Sequence, residues 1–93
     1  MNVTDVIFER PDDPPDPAYV LRVSIVGTGL TRSGPQLVAQ VGDIPVRDLI
    51  SLFEQEGVVG FLEAEPPVGA AVRVGYLGKE MIDSGQSYQP PNV

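Results

Sequence analysis

Apolar and polar side chains alternate along the segment Tyr19–Leu30. Its apolar residues Leu21, Val23 and Ile25 are separated from one another by single polar residues. A repeat of two is typical of a β-strand with one face buried and one face in water, and the β-branched side chains suit a pleated surface. The pattern predicts a core strand around which the rest of the chain is organised.

This segment ends in Gly27-Thr28-Gly29-Leu30. Two glycines so close together give the backbone access to positive φ. We therefore expect a sharp bend or bulge where the strand leaves the sheet, with Leu30 folded back over the core. A phosphate-binding loop would need a third glycine at the spacing of dinucleotide-binding folds and a helix after it. Residues 31–35 provide neither, so the sequence favours a structural turn.

Further short segments rich in β-branched and aromatic residues predict strands on both sides of this one. They are Val3–Glu9, Gln36–Val41, Ile44–Val46, Val58–Ala64, Ala70–Leu77 and Met81–Tyr88. Pro45 has no amide donor and predicts an edge position or a bend, and Asp83-Ser84-Gly85 predicts a bulge in the last strand. The spacing of Leu37, Ala39 and Val41 predicts a second buried strand face.

The first of these segments, Val3–Glu9, carries apolar side chains on both faces. Strict alternation would place Val6 and Phe8 together on one face. It would place Val3 on the opposite face, together with Ile7.

The segment Arg47–Gly57 has two interpretations. Its apolar residues at spacings of three and four could form a helical stripe that stops at Gly57. Alternatively, a strand Leu49–Phe53 could pair with Val58–Ala64 through a turn at Glu54–Gly57. The second half of the segment is short, β-branched and aromatic, so the sequence favours the hairpin.

The whole chain therefore predicts an all-β fold of about seven short strands, in which ten glycines and ten prolines form the turns. This pattern is typical of an antiparallel two-sheet sandwich. We expect residues 1–93 to form a single domain, with a Pro/Asp-rich loop at 10–17 and a flexible tail at 89–93. The chain contains no cysteine, so the sandwich would have no disulfide.

The charge and the residue types restrict the function. The net charge is -7, which disfavours binding to nucleic acid or to anionic lipid. Histidine and cysteine are both absent, which removes the commonest general base and any thiolate chemistry. No signal peptide or membrane-spanning run is recognisable. A complete chain would therefore be cytoplasmic, whereas a domain of a longer protein could be extracellular.

Two groups of acids are candidate sites. Asp12, Asp13 and Asp16 could supply hard oxygen ligands to calcium, although their spacing matches no known calcium loop and proline-flanked acids usually form a solvated linker. Glu63 and Glu65 lie two apart on a predicted strand face and could act as paired carboxylates. A solvated charged face explains them more simply, so we expect no catalysis and no cofactor.

The order of these features resembles that of IPT/TIG domains, which are immunoglobulin-like modules without the disulfide. The pieces that carry the resemblance are Ile25–Leu30, Ala39–Val46, Phe61–Pro67 and Gly69–Val74, within residues 3–88. The resemblance implies an immunoglobulin-like sandwich of the E-set type and a role as an interaction or spacer module.

The sequence therefore predicts a non-catalytic protein-interaction or structural module with an unidentified protein partner. The partner could add a strand at an exposed edge, either beside Pro45 or along the last strand at Gly85–Gln89. The alternative is a carbohydrate-binding accessory domain, which needs exposed aromatic rings. Tyr19 and Tyr88 are the aromatic residues least committed to the core and are the candidates for such contacts.

Overall fold

The computed structural model describes residues 2–28, 37–51 and 57–91, and its regular structure is entirely β-strand. The described residues form eight strands, where the sequence predicts about seven. They are β1 (Asn2–Glu9), β2 (Leu21–Thr28), β3 (Leu37–Val41), β4 (Ile44–Pro45), β5 (Arg47–Ser51), β6 (Gly57–Leu62), β7 (Ala71–Tyr76) and β8 (Ile82–Ser87). Within those ranges there is no helix long and apolar enough to cross a bilayer.

The strands form two antiparallel sheets of four strands each. One sheet has the order β1-β2-β6-β5 and the other has the order β4-β3-β7-β8. Along the described strands the chain changes sheet after β2, after β4 and after β6, so the central pairs β2-β6 and β3-β7 join strands far apart in sequence. This is the strand order of an immunoglobulin-like sandwich, and it confirms the predicted fold class.

The core lies between the two sheets and is built from the alternating apolar positions. Leu21, Val23 and Ile25 of β2 are fully buried, as the sequence predicts. They belong to one cluster with buried residues from both sheets, namely Phe8, Leu37, Ala39, Val41, Val58, Leu62, Val72, Val74 and Tyr88. Burial of these aliphatic and aromatic side chains is the main stabilising term of a sandwich that has no disulfide.

The first strand departs from strict alternation. The pairing of β1 with β2 shifts between Val3 and Asp5, which leaves Thr4 as an extra residue. Val3 and Val6 consequently both pack against the core, so the prediction that they lie on opposite faces is wrong. The Thr4 hydroxyl donates a hydrogen bond to the Val26 carbonyl at 3.1 Å, and the Val6 amide donates one to Asp5 Oδ1 at 2.9 Å.

Gly27 is required for close approach between strands. A Cβ atom at this position would overlap the carbonyl oxygen of Asn2 on β1. Gly27 lies within β2, opposite Val3, and it is not among the glycines with positive φ. The expected positive φ is therefore wrong for Gly27. The bend or bulge expected where the strand leaves the sheet involves Gly29, Leu30 and residues 31–35, which lie outside the described residues.

The predicted hairpin over residues 47–64 is confirmed for its two strands. β5 and β6 pair antiparallel, with Ile50 opposite Val59. The pairing shifts between Arg47 and Ile50, and in this interval Asp48 has a φ of 51°. Aspartate is among the residues that tolerate this left-handed conformation. Residues 52–56, which include most of the predicted turn, lie outside the described residues.

The remaining connections agree with the sequence where the structure describes them. Residues 10–20 contain no strand, and residues 89–91 contain none after β8; residues 92 and 93 lie outside the described part. The backbone amide of Tyr88 donates to the Ala70 carbonyl at 2.9 Å, and the amide of Gly69 donates to the Tyr88 carbonyl at 3.0 Å. The last part of the chain is therefore tied to the segment before β7.

Candidate functional site

The outer face of the β1-β2-β6-β5 sheet carries a row of mainly apolar side chains. Cross-strand pairing places Ile7 beside Ser24, Ser24 beside Val59, and Val59 beside Ile50. We call these four residues the outer row. Its two ends are exposed, with 44% of Ile7 and 61% of Ile50 accessible to water. Single exposed apolar side chains are common on protein surfaces. The distinguishing feature of this face is that three of the four residues in one cross-strand row are apolar.

A charged row lies next to the outer row on the same face. Register places Arg22 and Arg47 on either side of Phe61. Arg22 Nη2 is 2.8 Å from Glu9 Oε1, and Arg47 Nε is 3.3 Å from Glu63 Oε1. All four charged side chains are about half exposed. Ion pairs that are exposed in this way contribute little to stability, and their charged groups remain accessible at the surface.

An aromatic pair covers the middle of the charged row. The ring of Tyr19 stacks on the ring of Phe61, with centroids 5.0 Å apart and planes 7° from parallel. The Tyr19 hydroxyl donates a hydrogen bond of 2.6 Å to Asp48 Oδ2. That hydrogen bond is the main reason why the pKa of Tyr19 rises to about 12. Burial and the negative charges of Asp48, Asp16 and Glu63 make smaller contributions to the same rise in pKa.

The Pro/Asp-rich loop positions Tyr19. Asp16 Oδ1 accepts a hydrogen bond of 2.8 Å from the Ala18 amide, and the Asp16 carbonyl accepts one of 3.0 Å from the Tyr19 amide. Asp16 thus forms a turn in which its side chain bonds to the backbone two residues further along the chain, as Asp side chains commonly do. Among the described residues, no group of three or more His, Cys, Asp or Glu side chains could hold a metal ion. This finding gives no support to a calcium site at Asp12, Asp13 and Asp16.

Tyr88 lies in the core, so the expectation that it is uncommitted to the core is wrong. Its side chain is fully buried and its ring meets the ring of Phe8 edge to face, with centroids 4.8 Å apart. The Tyr88 hydroxyl has no hydrogen-bond partner at normal distance among the described residues. Burial raises the pKa of Tyr88, the charge of Glu65 raises it further, and Arg10 acts in the opposite direction. A side-chain contact with Glu65 also raises this pKa slightly, but it falls outside normal hydrogen-bond geometry.

Glu63 and Glu65 do not share a strand face, because β6 ends at Leu62. The two carboxylates have different partners: Glu63 pairs with Arg47, and Glu65 pairs with Arg10. Each therefore has its own arginine, and the arrangement gives no support to a carboxylate pair that shares a substrate.

The two edges suggested for strand addition are both edges of the β4-β3-β7-β8 sheet, as the sequence predicts. β4 is only two residues long and ends in Pro45. β8 is bulged. Asp83 pairs with Arg73 and Ser87 pairs with Ala71, so four positions along β8 correspond to only two along β7. The bulge is held by the Ser84 hydroxyl, which donates a hydrogen bond of 2.6 Å to the Val72 carbonyl. Short, proline-containing and bulged edges are ways in which proteins prevent strand addition.

Tyr19 was predictable from the sequence as a candidate contact residue, whereas Phe61, Asp48 and the outer row were not. The signal for the outer row was present, since Ile7, Val59 and Ile50 are apolar residues on predicted strands. Choosing their face required the register of three strand pairs.

No protein-family model matches the chain, and searches of curated proteins and of solved structures found no significant match.

Proposed function

We propose that this chain is a non-catalytic protein-interaction or structural module, built as an immunoglobulin-like sandwich of the IPT/TIG kind. The observation that carries the proposal is the outer row, in which 44% of Ile7 and 61% of Ile50 are exposed on a sheet face. Apolar side chains grouped on a regular, rigid surface favour contact with another protein. The aromatic pair and the two arginines beside the row are residue types enriched at protein interfaces.

Site-specific photo-cross-linking in the cells that make the protein tests this proposal. A photoreactive residue at Ile50 should give a defined protein product. The same residue at Leu77, which is equally exposed at 63% but lies in the turn after β7, should give less of it. Positions Val68 and Ile82 extend the survey to the remaining surface. If none of the four positions yields a protein product, the interaction role is contradicted.

A carbohydrate-binding accessory domain is the second candidate. Tyr19 supports it, because its ring is only half-buried and is held flat against Phe61 beside several carboxylates. Sugar rings stack on such rigid aromatic surfaces and accept and donate hydrogen bonds at the edges. A glycan array at millimolar protein concentration, repeated with Tyr19→Ala, tests this candidate. Silence of both proteins on the array would remove it.

A further inference from the structure

We infer that the outer face of the β1-β2-β6-β5 sheet docks a protein surface with an apolar centre and a basic rim. The inference rests on the proposed function and adds the place of contact and the chemistry of the partner. Two kinds of observation support it: the arrangement of the apolar side chains on this face, and the sign of the charges around them.

All four strands of the sheet contribute apolar side chains to this face. The outer row runs from Ile7 on β1 to Ile50 on β5. Val26 and Phe61 lie on either side of it along β2 and β6, and both are half-buried and project away from the core. The apolar centre is interrupted on β2 by the small hydroxyl of Ser24, and at Phe61 it is flanked by Arg22 and Arg47 and covered by the ring of Tyr19. A flat surface of this composition is suited to burial against another protein.

The rim of this face is acidic. Its carboxylates are those of Asp5, Glu9, Asp16, Asp48 and Glu63. Only Glu9 and Glu63 are paired with arginine among the described residues, in the Arg22 and Arg47 pairs. Carboxylates therefore outnumber guanidinium groups around the apolar centre, in a chain whose net charge is -7. Charge complementarity then favours a partner with lysine or arginine around its contact and disfavours a second copy of this acidic chain.

The face is also a better candidate than the edges for the contact. The β1 edge carries the Thr4 bulge, and the β5 edge carries the irregularity at Asp48. The other sheet ends in the proline-containing β4 and the bulged β8. All four edges of the described sheets are thus irregular and are poor templates for an added strand. Docking through side chains on a sheet face requires no such template.

Titration of the isotopically labelled full chain with two synthetic peptides tests the inference. The peptides have the same length and the same apolar residues, and they carry lysine or glutamate at every polar position. The lysine peptide should shift the backbone amide signals of β1, β2, β6 and β5, and binding should weaken as salt is added. The glutamate peptide should bind at least about tenfold more weakly.

A pair of matched variants locates the contact. Ile50→Ser should weaken binding of the lysine peptide about tenfold, because it removes the more exposed of the two apolar side chains that end the outer row. Leu77→Ser removes an equally exposed apolar side chain elsewhere and should leave binding unchanged. Serine introduces no charge, so any loss of peptide binding is not electrostatic. Both substituted positions are exposed, so neither substitution should unfold the protein.

Three results would overturn the inference: equal binding of the two peptides, signal shifts confined to the other sheet or to the 10–17 loop, and no binding of either peptide. None of these results removes the proposed function. A cross-linked protein found at Leu77, Val68 or Ile82 and absent at Ile50 would keep the interaction role and remove this docking face.

Discussion

The rings of Phe8 and Tyr88 meet edge to face, with centroids 4.8 Å apart and planes at 88°. Phe8 is on β1 and Tyr88 follows β8, so this contact joins the two sheets along one side of the sandwich. Both side chains are buried in the core. Edge-to-face packing of this kind adds about 1 kcal/mol to the effect of burial alone.

The Tyr88 hydroxyl gives the first prediction. It is buried without a hydrogen-bond partner at normal distance, and such a group costs roughly 1–3 kcal/mol. Tyr88→Phe should therefore leave the free energy of unfolding unchanged or raise it by about 1 kcal/mol. Phe8→Ala should lower it by about 3–5 kcal/mol. Urea unfolding measures both, and a clear destabilisation by Tyr88→Phe would show that the hydroxyl is hydrogen-bonded.

Gly27 gives a second prediction through its contact with β1. Gly27→Ala would place a Cβ atom on the Asn2 carbonyl, so β1 must move away from β2. We expect a loss of about 2 kcal/mol or more and faster amide hydrogen exchange along β1. Gly78 has a φ of 84° and open space around it, so Gly78→Ala should cost about 1–2 kcal/mol through backbone strain alone and leave exchange in β1 unchanged. Equal exchange in β1 for the two variants would contradict the close approach.

The bulge in β1 gives a third prediction. Val3 packs against the core, whereas Ile7 is 44% exposed. Val3→Ser should therefore lower the free energy of unfolding by about 1 kcal/mol or more, and Ile7→Ser should change it by about 0.5 kcal/mol or less. Strict alternation would place both residues on the same face. Equal effects of the two substitutions would thus argue for an unbulged strand.

The Tyr19–Asp48 hydrogen bond gives a fourth prediction, which concerns pH. The pKa of Tyr19 is raised from its ordinary 10.0 to about 12. A raised pKa means that the protonated phenol is favoured by folding. The stabilisation is therefore complete below pH 10 and is lost as the pH rises through about 12. Titration of the Tyr19 ring signals by NMR should show this directly.

Asp48→Asn should move the pKa of Tyr19 back toward 10.0, because it removes the negative charge while asparagine still tolerates the positive φ at this position. Asp12→Asn is the control, since Asp12 does not contribute to the raised pKa. An unchanged pKa in the Asp48 variant would show that the hydroxyl donates elsewhere.

The central strands of the core were predictable from the sequence because apolar and polar residues alternate along them. Leu21, Val23 and Ile25 are buried as their period of two requires. The bulge at Thr4 was not predictable in this way. It depends on how β1 meets Gly27 across the sheet, and no pattern within β1 reports that contact.

The candidate site depended even more on contacts between distant parts of the chain. Tyr19 reaches Phe61 only because Asp16 turns the chain and because β2 pairs with β6 in one register. Tyr88 was misplaced for a related reason. Its position near the end of the chain suggests exposure, but its backbone bonds to Gly69 and Ala70 carry it into the core.

The most direct test of the fold on which the proposals rest is a set of proton–proton NOEs between strands in solution. The strand pairing of the sandwich predicts NOEs between Val23 and Gly60 in one sheet and between Ala39 and Val74 in the other. The sandwich also predicts ring contacts between Phe8 and Tyr88 across the two sheets. Backbone contacts that instead pair β2 directly with β3 in a single sheet would contradict the sandwich and remove the proposed docking face with it.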